Sequence, residues 1–487
     1  MKSSLLRELD LQIESPAFNK DTGFTDYVEM ISFLEEKSST APFEFQIKYI
    51  GTSQKGKKIP AVIIGSESPD KIRIWLQSGL HGNEPAGTEG LLMYISYLVD
   101  QNPQDVLDHL VLMILPMTNI DGYEVQSRYA ADGADLNRDQ TKLYEPETVA
   151  LKKAFAAFNP HVAIDIHEYR PYRSGLKTIS EDIGSIAYDV LFLPSGNLNI
   201  PSPLQEMVHD VYLPVVSQKL TSEGLSSTFY FLPRTKDDDS VYLKMGGASP
   251  RSSATSFALS NSVSILFEIR GIGLGREYFK RRTYSSFLLA STVVKTTLEN
   301  KDRLLSAYEK SIVISGKKKK IILSYSPSIY EDEFLFYNTS IDSLIAKKLE
   351  VHDTNRSTAE ITRKNPRGYI ILPEAIHIAE KLKILGVEMY PLKNEKKVLV
   401  EKYLITANST NGNEDQLAVN NVSVELRKGR ELLPKEAYYI PAEQENFGYA
   451  SCLLEPEMPN GFVNYGVLEV IIGEFLPVYR LLKPKIK

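Results

Sequence analysis

The chain has 487 residues, too many for one ordinary core, so two or three domains are expected. Apolar residues make up 43% and charged residues 24%, and the net charge is −6 with no basic stripe interleaved with aromatics, which disfavours nucleic-acid partners. No apolar run approaches the roughly 18 residues of a membrane span, and the single cysteine, Cys452, rules out an intrachain disulfide and a cysteine-rich zinc site.

Met1 to Arg7 lacks the apolar core of a signal peptide, so export is the favoured compartment only if a leader has been removed. Residues 25–37 then predict a helix with Tyr27, Met30, Ile31, Phe33 and Leu34 as its apolar positions. Strands follow over 43–51 and 58–64, joined by a Gly/Lys turn. Ile72 to Leu76 is a buried strand that runs into Ser78-Gly79-Leu80-His81-Gly82-Asn83-Glu84 and then a helix over 88–99. Further strands are expected over 110–115, 162–167 and 262–269, with a helix over 148–158 and a long one over 284–305.

Strand and helix alternate through this stretch, which predicts an α/β layer with a largely parallel sheet. Ligands of such sheets bind outside the carboxyl ends of the strands. His81, His167 and Glu268 all fall at or just past predicted strand ends. After about residue 312 the character changes: a basic run, Lys317 to Lys320, precedes short β-like segments, a helix around 373–385 and turn signals over 408–413. The expected division is a catalytic domain, 1–311, and a C-terminal mostly-β accessory module, 312–487, suited to a surface or glycan contact.

His81 and Glu84 have the spacing H-x-x-E, which on a tight turn can aim an imidazole and a carboxylate at one point. Catalytic zinc takes three protein ligands and keeps one open position. His167, ending Asp165-Ile166-His167, supplies the third. Alone, each piece has an ordinary alternative, since H-x-x-E arises by chance and a strand-end histidine is commonly a surface residue. Glu268 stands by itself in the apolar run Ser264 to Ile269, where a carboxylate is costly unless it has a partner or a task; a salt bridge to Arg270 is the plain alternative.

Taken together, His81-Gly82-Asn83-Glu84, Asn119-x-Asp121-Gly122, Asp135-x-Asn137-Arg138, Ile166-His167 and Phe267-Glu268-Ile269-Arg270 resemble, in order, the motifs of the zinc carboxypeptidase family typified by pancreatic carboxypeptidase A. The resemblance covers about residues 25–305. It implies a mixed eight-stranded sheet flanked by helices, and one Zn²⁺ per chain held by His81, Glu84 and His167. It also implies Glu268 as general base, Arg128 polarising the scissile carbonyl, Asn137 and Arg138 gripping the terminal carboxylate, and Asp135 behind His81. Tyr242 is the expected substrate-contacting tyrosine, with Tyr169, Tyr172, Tyr188, Tyr212 and Tyr230 as alternatives. The specificity segment should lie within 250–255, where Arg251, Ser252 and Ser253 stand.

The expected reaction is release of a C-terminal residue from a peptide or peptide-like substrate with a free carboxylate. An amidohydrolase acting on N-acyl amino acids or peptidoglycan stem peptides is the alternative within zinc chemistry. An inactive metal-binding or recognition module is the alternative of another class.

Overall fold

The computed structural model describes residues 15–414 and 417–483. Four apolar runs set its centre. Leu110–Leu115, Ile72–Ser78, Val162–Tyr169 and Val263–Arg270 lie side by side in that order, all parallel. Strands covered on both faces read as mainly apolar sequence, as these do, with most of their polar residues toward the carboxyl ends. Lys58–Ile64 and Phe45–Thr52 extend the sheet antiparallel at one side. At the other, Val190–Pro194 runs antiparallel to Val263–Arg270, and Ser227–Phe229 completes a mixed sheet of eight strands.

Successive residues of a strand face opposite layers. Ile74 and Leu76 therefore join one core with Leu91 and Ile95 of helix Pro85–Gln101 and Leu289 and Val293 of helix Phe279–Glu299. Trp75 points the other way and packs on Phe155, with ring centroids 5.2 Å apart, and Phe155 stacks on Phe257 at 4.3 Å.

The expected long helix over 284–305 is two helices, Phe279–Glu299 and Lys301–Lys317. Asn300 separates them: its side-chain amide donates to the Thr296 carbonyl at 2.9 Å, as an amide side chain competes with the helix ladder. The expected boundary near 312 falls inside the second helix.

Beyond it the β segments are long rather than short. Lys320–Asn338 and Ser343–Lys364 form an antiparallel hairpin of 19- and 22-residue strands. Strands from both sides of residue 312 share its sheet, because Ile183–Ile186 pairs with the first arm and Val241–Met245 with the second. A third sheet of six strands contains Lys396–Glu414, so the turn signals expected over 408–413 lie within a strand, with irregular register between Thr410 and Asn413. The helix expected around 373–385 is present as Ile376–Ile384 behind a short 3-10 turn. Glu455, fully buried, accepts from Tyr369 at 2.7 Å and pairs with Arg363 and Arg480, which fixes the chain leading to residues 458–464.

Among the described residues, no helix is long and apolar enough to cross a membrane.

Candidate metal centre and active site

The turn after Ile72–Ser78 is held against a second turn by close backbone contact. A Cβ on Gly82 would lie 2.1 Å from the Gly122 carbonyl carbon, and one on Gly122 would lie 2.4 Å from the Tyr129 carbonyl oxygen. Only glycine fits at either position. Asn119 caps the second turn by accepting from the Gly122 amide at 3.0 Å, and its own amide reaches the Leu80 carbonyl at 3.3 Å. Asp121 accepts from Ser53 Oγ and the Lys55 amide, both at 2.9 Å. These motif residues are scaffolding for the turn that carries His81 and Glu84.

His81, Glu84 and His167 are 3%, 2% and 1% exposed, so their polar atoms must be satisfied by neighbouring protein groups or by a ligand rather than by solvent. His81 Nδ1 lies 2.8 Å from Glu84 Oε1, His167 Nδ1 lies 2.8 Å from Glu84 Oε2, and the two Nδ1 atoms are 3.0 Å apart. One ligand atom from each residue falls within 4.8 Å of the others. The far ring nitrogens are both held by carboxylates. His81 Nε2 is 3.1 Å from Asp135 Oδ1, and His167 Nε2 is 2.9 Å from Asp165 Oδ2. This leaves both Nδ1 atoms directed at the common point, and the Glu168 amide steadies Glu84 Oε2 at 3.0 Å.

The electrostatics suit a cation. Burial opposes a charged His167, but Asp165 and Glu84 on either side outweigh it and hold its pKa well above the usual imidazole value. Burial also opposes ionisation of Glu84, yet His81 and His167 keep its carboxyl below the carboxylate range. A position that retains a proton this firmly between two anions is one where a metal ion can replace it. The donor set, two imidazoles and a carboxylate, fits zinc.

Glu268 sits two residues from the end of its strand, directly beside His167 in register. Burial first, then the Glu84 carboxylate, push its carboxyl up to about 7, against the pull of His167, Arg173 and His81. Arg270, the alternative partner expected from sequence, instead donates to Ser185 Oγ at 3.0 Å and to the Ile186 carbonyl.

Arg128 donates from Nε to Asp135 Oδ2 at 3.0 Å, and its Nη1 comes 3.6 Å from Glu84 Oε1. Asp135 thus braces both His81 and Arg128. Asn137 uses its side-chain oxygen to accept from the Ser253 amide at 2.8 Å, so Ser253, in the expected specificity segment, acts as its support. Arg138 donates to the Asn137 carbonyl at 3.0 Å. Asn137, Arg138, Arg251 and Ser252 all line a cavity of about 1290 Å³ that also reaches His81 and Glu268.

Of the tyrosines, Tyr169, Tyr188 and Tyr212 are tied into packing through the Tyr188 carbonyl, the Leu335 amide and Thr297 respectively. Tyr172 is exposed against the Arg270 guanidinium. Tyr242 lines the cavity with its ring 4.1 Å from that of His352. Tyr230 lines it too, and its phenol is pushed upward by burial and then by the charge of Glu268.

Two features escaped sequence reasoning. Asp165 is the carboxylate behind His167, and Asp-x-His on one strand, which places both side chains on one face, was the available signal. The C-terminal region also supplies part of the cavity wall, through Tyr325, His352, Asn421, Met458 and Asn464; no local pattern announces that contact.

The sequence profile of the zinc carboxypeptidase family matches residues 30–171. Carboxypeptidase 2 of Trichophyton tonsurans is 28% identical over 492 residues, 96% of this chain and 91% of its own length. Carboxypeptidase 2 of Trichophyton rubrum is 29% identical over 441 residues, 88% of this chain and 81% of its own. Among solved structures, carboxypeptidase A from Helicoverpa armigera overlays with a TM-score of 0.44 at 16% identity, covering 58% of this chain and 78% of that one, a likeness too loose to add weight. Over residues 30–171 the chain is thus similar to the zinc carboxypeptidase family, and within that stretch His81, Glu84 and His167 come together as one buried cluster.

Proposed function

We propose that the protein is a zinc-dependent exopeptidase that releases the C-terminal residue of a peptide bearing a free carboxylate. One observation carries this: the His81/Glu84/His167 cluster opens, through His81, on the cavity that the Glu268 carboxylate and the Asn137-Arg138 pair also line. His81, Glu84 and His167 would hold the ion. A zinc ion so held supplies Lewis acidity, lowering the pKa of water from about 15.7 toward about 7 and polarising a carbonyl.

Glu268 takes the proton of the attacking water and delivers it to the leaving amine. A carboxyl raised to about 7 suits a group that must accept and then donate near neutral pH. Arg128, fixed by Asp135, presents its charge where the oxyanion develops; losing such a donor costs about 2.7–4 kcal/mol of barrier. Arg138 receives the terminal carboxylate with Asn137, whose side-chain orientation Ser253 sets. Tyr230 is favoured over Tyr242 as the substrate-contacting tyrosine, because it shares the field of Glu268 and Arg138 while the Tyr242 ring rests on His352. The C-terminal region enters this reading as cavity wall; the surface or glycan contact expected of it has no support.

Mass spectrometry of products from free-acid peptides tests the reading. Residues should leave one at a time from the C-terminus, the activity should stop with a chelator and return with zinc, and His81→Ala and His167→Ala should lose the metal by elemental analysis. Internal fragments, or turnover of N-acyl amino acids without turnover of peptides, would overturn it.

A further inference from the structure

The chain as a whole is acidic, with 62 Asp and Glu against 56 Lys and Arg. Its cavity has the opposite balance. Seven Arg or Lys side chains line it, against two carboxylates, Glu168 and Glu268. Glu168 is already paired with Arg282 at 2.6 Å. Arg128 and Arg138 have tasks in the exopeptidase reading, which leaves a group of cations that the reaction does not need.

Four of these cations form a wall. Arg170 and Arg173 follow directly on the His167 strand, and the Arg173 Nε donates to the Arg170 carbonyl at 3.0 Å, which ties the two together. Arg234 and Lys244 come from the antiparallel pair Phe231–Thr235 and Val241–Met245. Arg234 sits opposite Tyr242 in register and Lys244 lies two residues beyond it, so all three share a face. Among the described residues, no carboxylate lies at ion-pair distance from Arg170, Arg173, Arg234 or Lys244, and only Arg173 is near enough for its charge to reach Glu268. The nearest one along the adjoining strand, Glu350, is occupied by Lys236 at 2.7 Å and His352 at 2.6 Å. Cations scattered over a surface are commonly just solvated, but here four converge on one concave wall beside the metal cluster, in a protein of opposite net sign. Low-dielectric walls focus such a field on whatever enters.

We propose that this wall selects acidic peptides, receiving Asp or Glu side chains from the last few residues of the substrate. The proposal rests on the exopeptidase reading and adds the substrate class.

The test is a set of short free-acid peptides carrying Glu, Gln or Lys at successive positions near the C-terminus, assayed with zinc-loaded full-length protein at low and high salt. For at least one position, kcat/KM for Glu should exceed that for Lys by about tenfold or more at low salt, and the ratio should shrink as salt rises. Arg234→Gln combined with Lys244→Gln should move the ratio toward one, and Lys244→Glu should move it further in the same direction. Equal rates for Glu and Lys at every position, or a preference undiminished in these variants, overturns the proposal. If wild-type protein cleaves no peptide, the exopeptidase reading has failed on its own. Fluorescence competition binding of the same peptides then still reads the selectivity, with tighter binding of the Glu series supporting the wall and equal binding refuting it.

Discussion

Replacing Arg138 with alanine should abolish the preference for a free terminal carboxylate. Arg138 lines the cavity, donates to the Asn137 carbonyl, and stands beside Asn137, which Ser253 locks in place. Truncating one partner of a buried charge pair typically costs about 2–5 kcal/mol. Asp135 lies close enough to share the charge of Arg138, which argues for the lower part of that range. We therefore expect a loss of about 2–3 kcal/mol in transition-state binding of the acid substrate, or about 30- to 150-fold in kcat/KM. The assay compares one peptide as free acid and as C-terminal amide. Wild-type protein should favour the acid by about that factor and Arg138→Ala should treat both alike. Arg138→Lys should fall between, because lysine keeps the charge but not the paired donors. If wild-type protein cleaves acid and amide equally, Arg138 merely ties its own loop, and a broader amidohydrolase function replaces the exopeptidase one.

Glu268→Gln should keep fold and zinc but lose about 10²- to 10⁴-fold in turnover; in wild-type protein the rate should fall as pH drops through about 7, because the protonated carboxyl cannot accept the water's proton, and an unchanged acid limb in the variant would remove Glu268 as base. Asp165→Asn should weaken zinc about 10- to 100-fold in chelator competition, since it alters the group holding His167 Nε2; wild-type affinity would show that this contact is idle. His161 accepts from the Arg73 amide at 3.1 Å, and burial, then the Arg73 charge, depress its pKa to about 3. The unfolded chain, near the usual value of about 6.5, binds the proton first on acidification, so this contribution is complete above about 6.5 and is lost as pH falls toward about 3. Urea midpoints at about pH 5 and pH 7 should therefore differ less in His161→Asn than in wild type, and identical differences would discard this source of acid lability.

The central sheet was legible because its physics is local. Ile72 to Leu76, Leu110 to Leu115 and Val162 to His167 are dominated by apolar residues, as strands covered on both faces are, and turn signals bound them. The metal cluster was legible for a related reason: parallel strands deliver their ends to one edge, so His81, His167 and Glu268 could be related across nearly two hundred residues of sequence. Asp165 was hidden by the same apolar run that revealed its strand. The break at Asn300 was hidden because apolar periodicity continues across it, while the Asn300 backbone leaves helical geometry and its side chain bonds the Thr296 carbonyl. The long hairpin over 320–364 reads as mixed polar sequence, since much of its length is exposed and its pairing with 183–186 and 241–245 is decided far along the chain.

That non-local pairing bears on the division expected near residue 312. A chain cut there would lose the strand partners of Ile183–Ile186 and Val241–Met245. It would also expose the core in which Leu243 and Phe231 pack with Phe334, Phe336 and Val351, all fully buried. The wall that carries Arg234, Tyr242 and Lys244 is one edge of that same sheet. The ligand cluster and Glu268 are carried by the eight-stranded sheet, whereas the part of the cavity wall with Arg234, Tyr242 and Lys244 depends on contacts across residue 312. Substitutions in the C-terminal wall, at Asn421 or Met458, should accordingly act on selectivity among peptides while leaving the metal cluster intact.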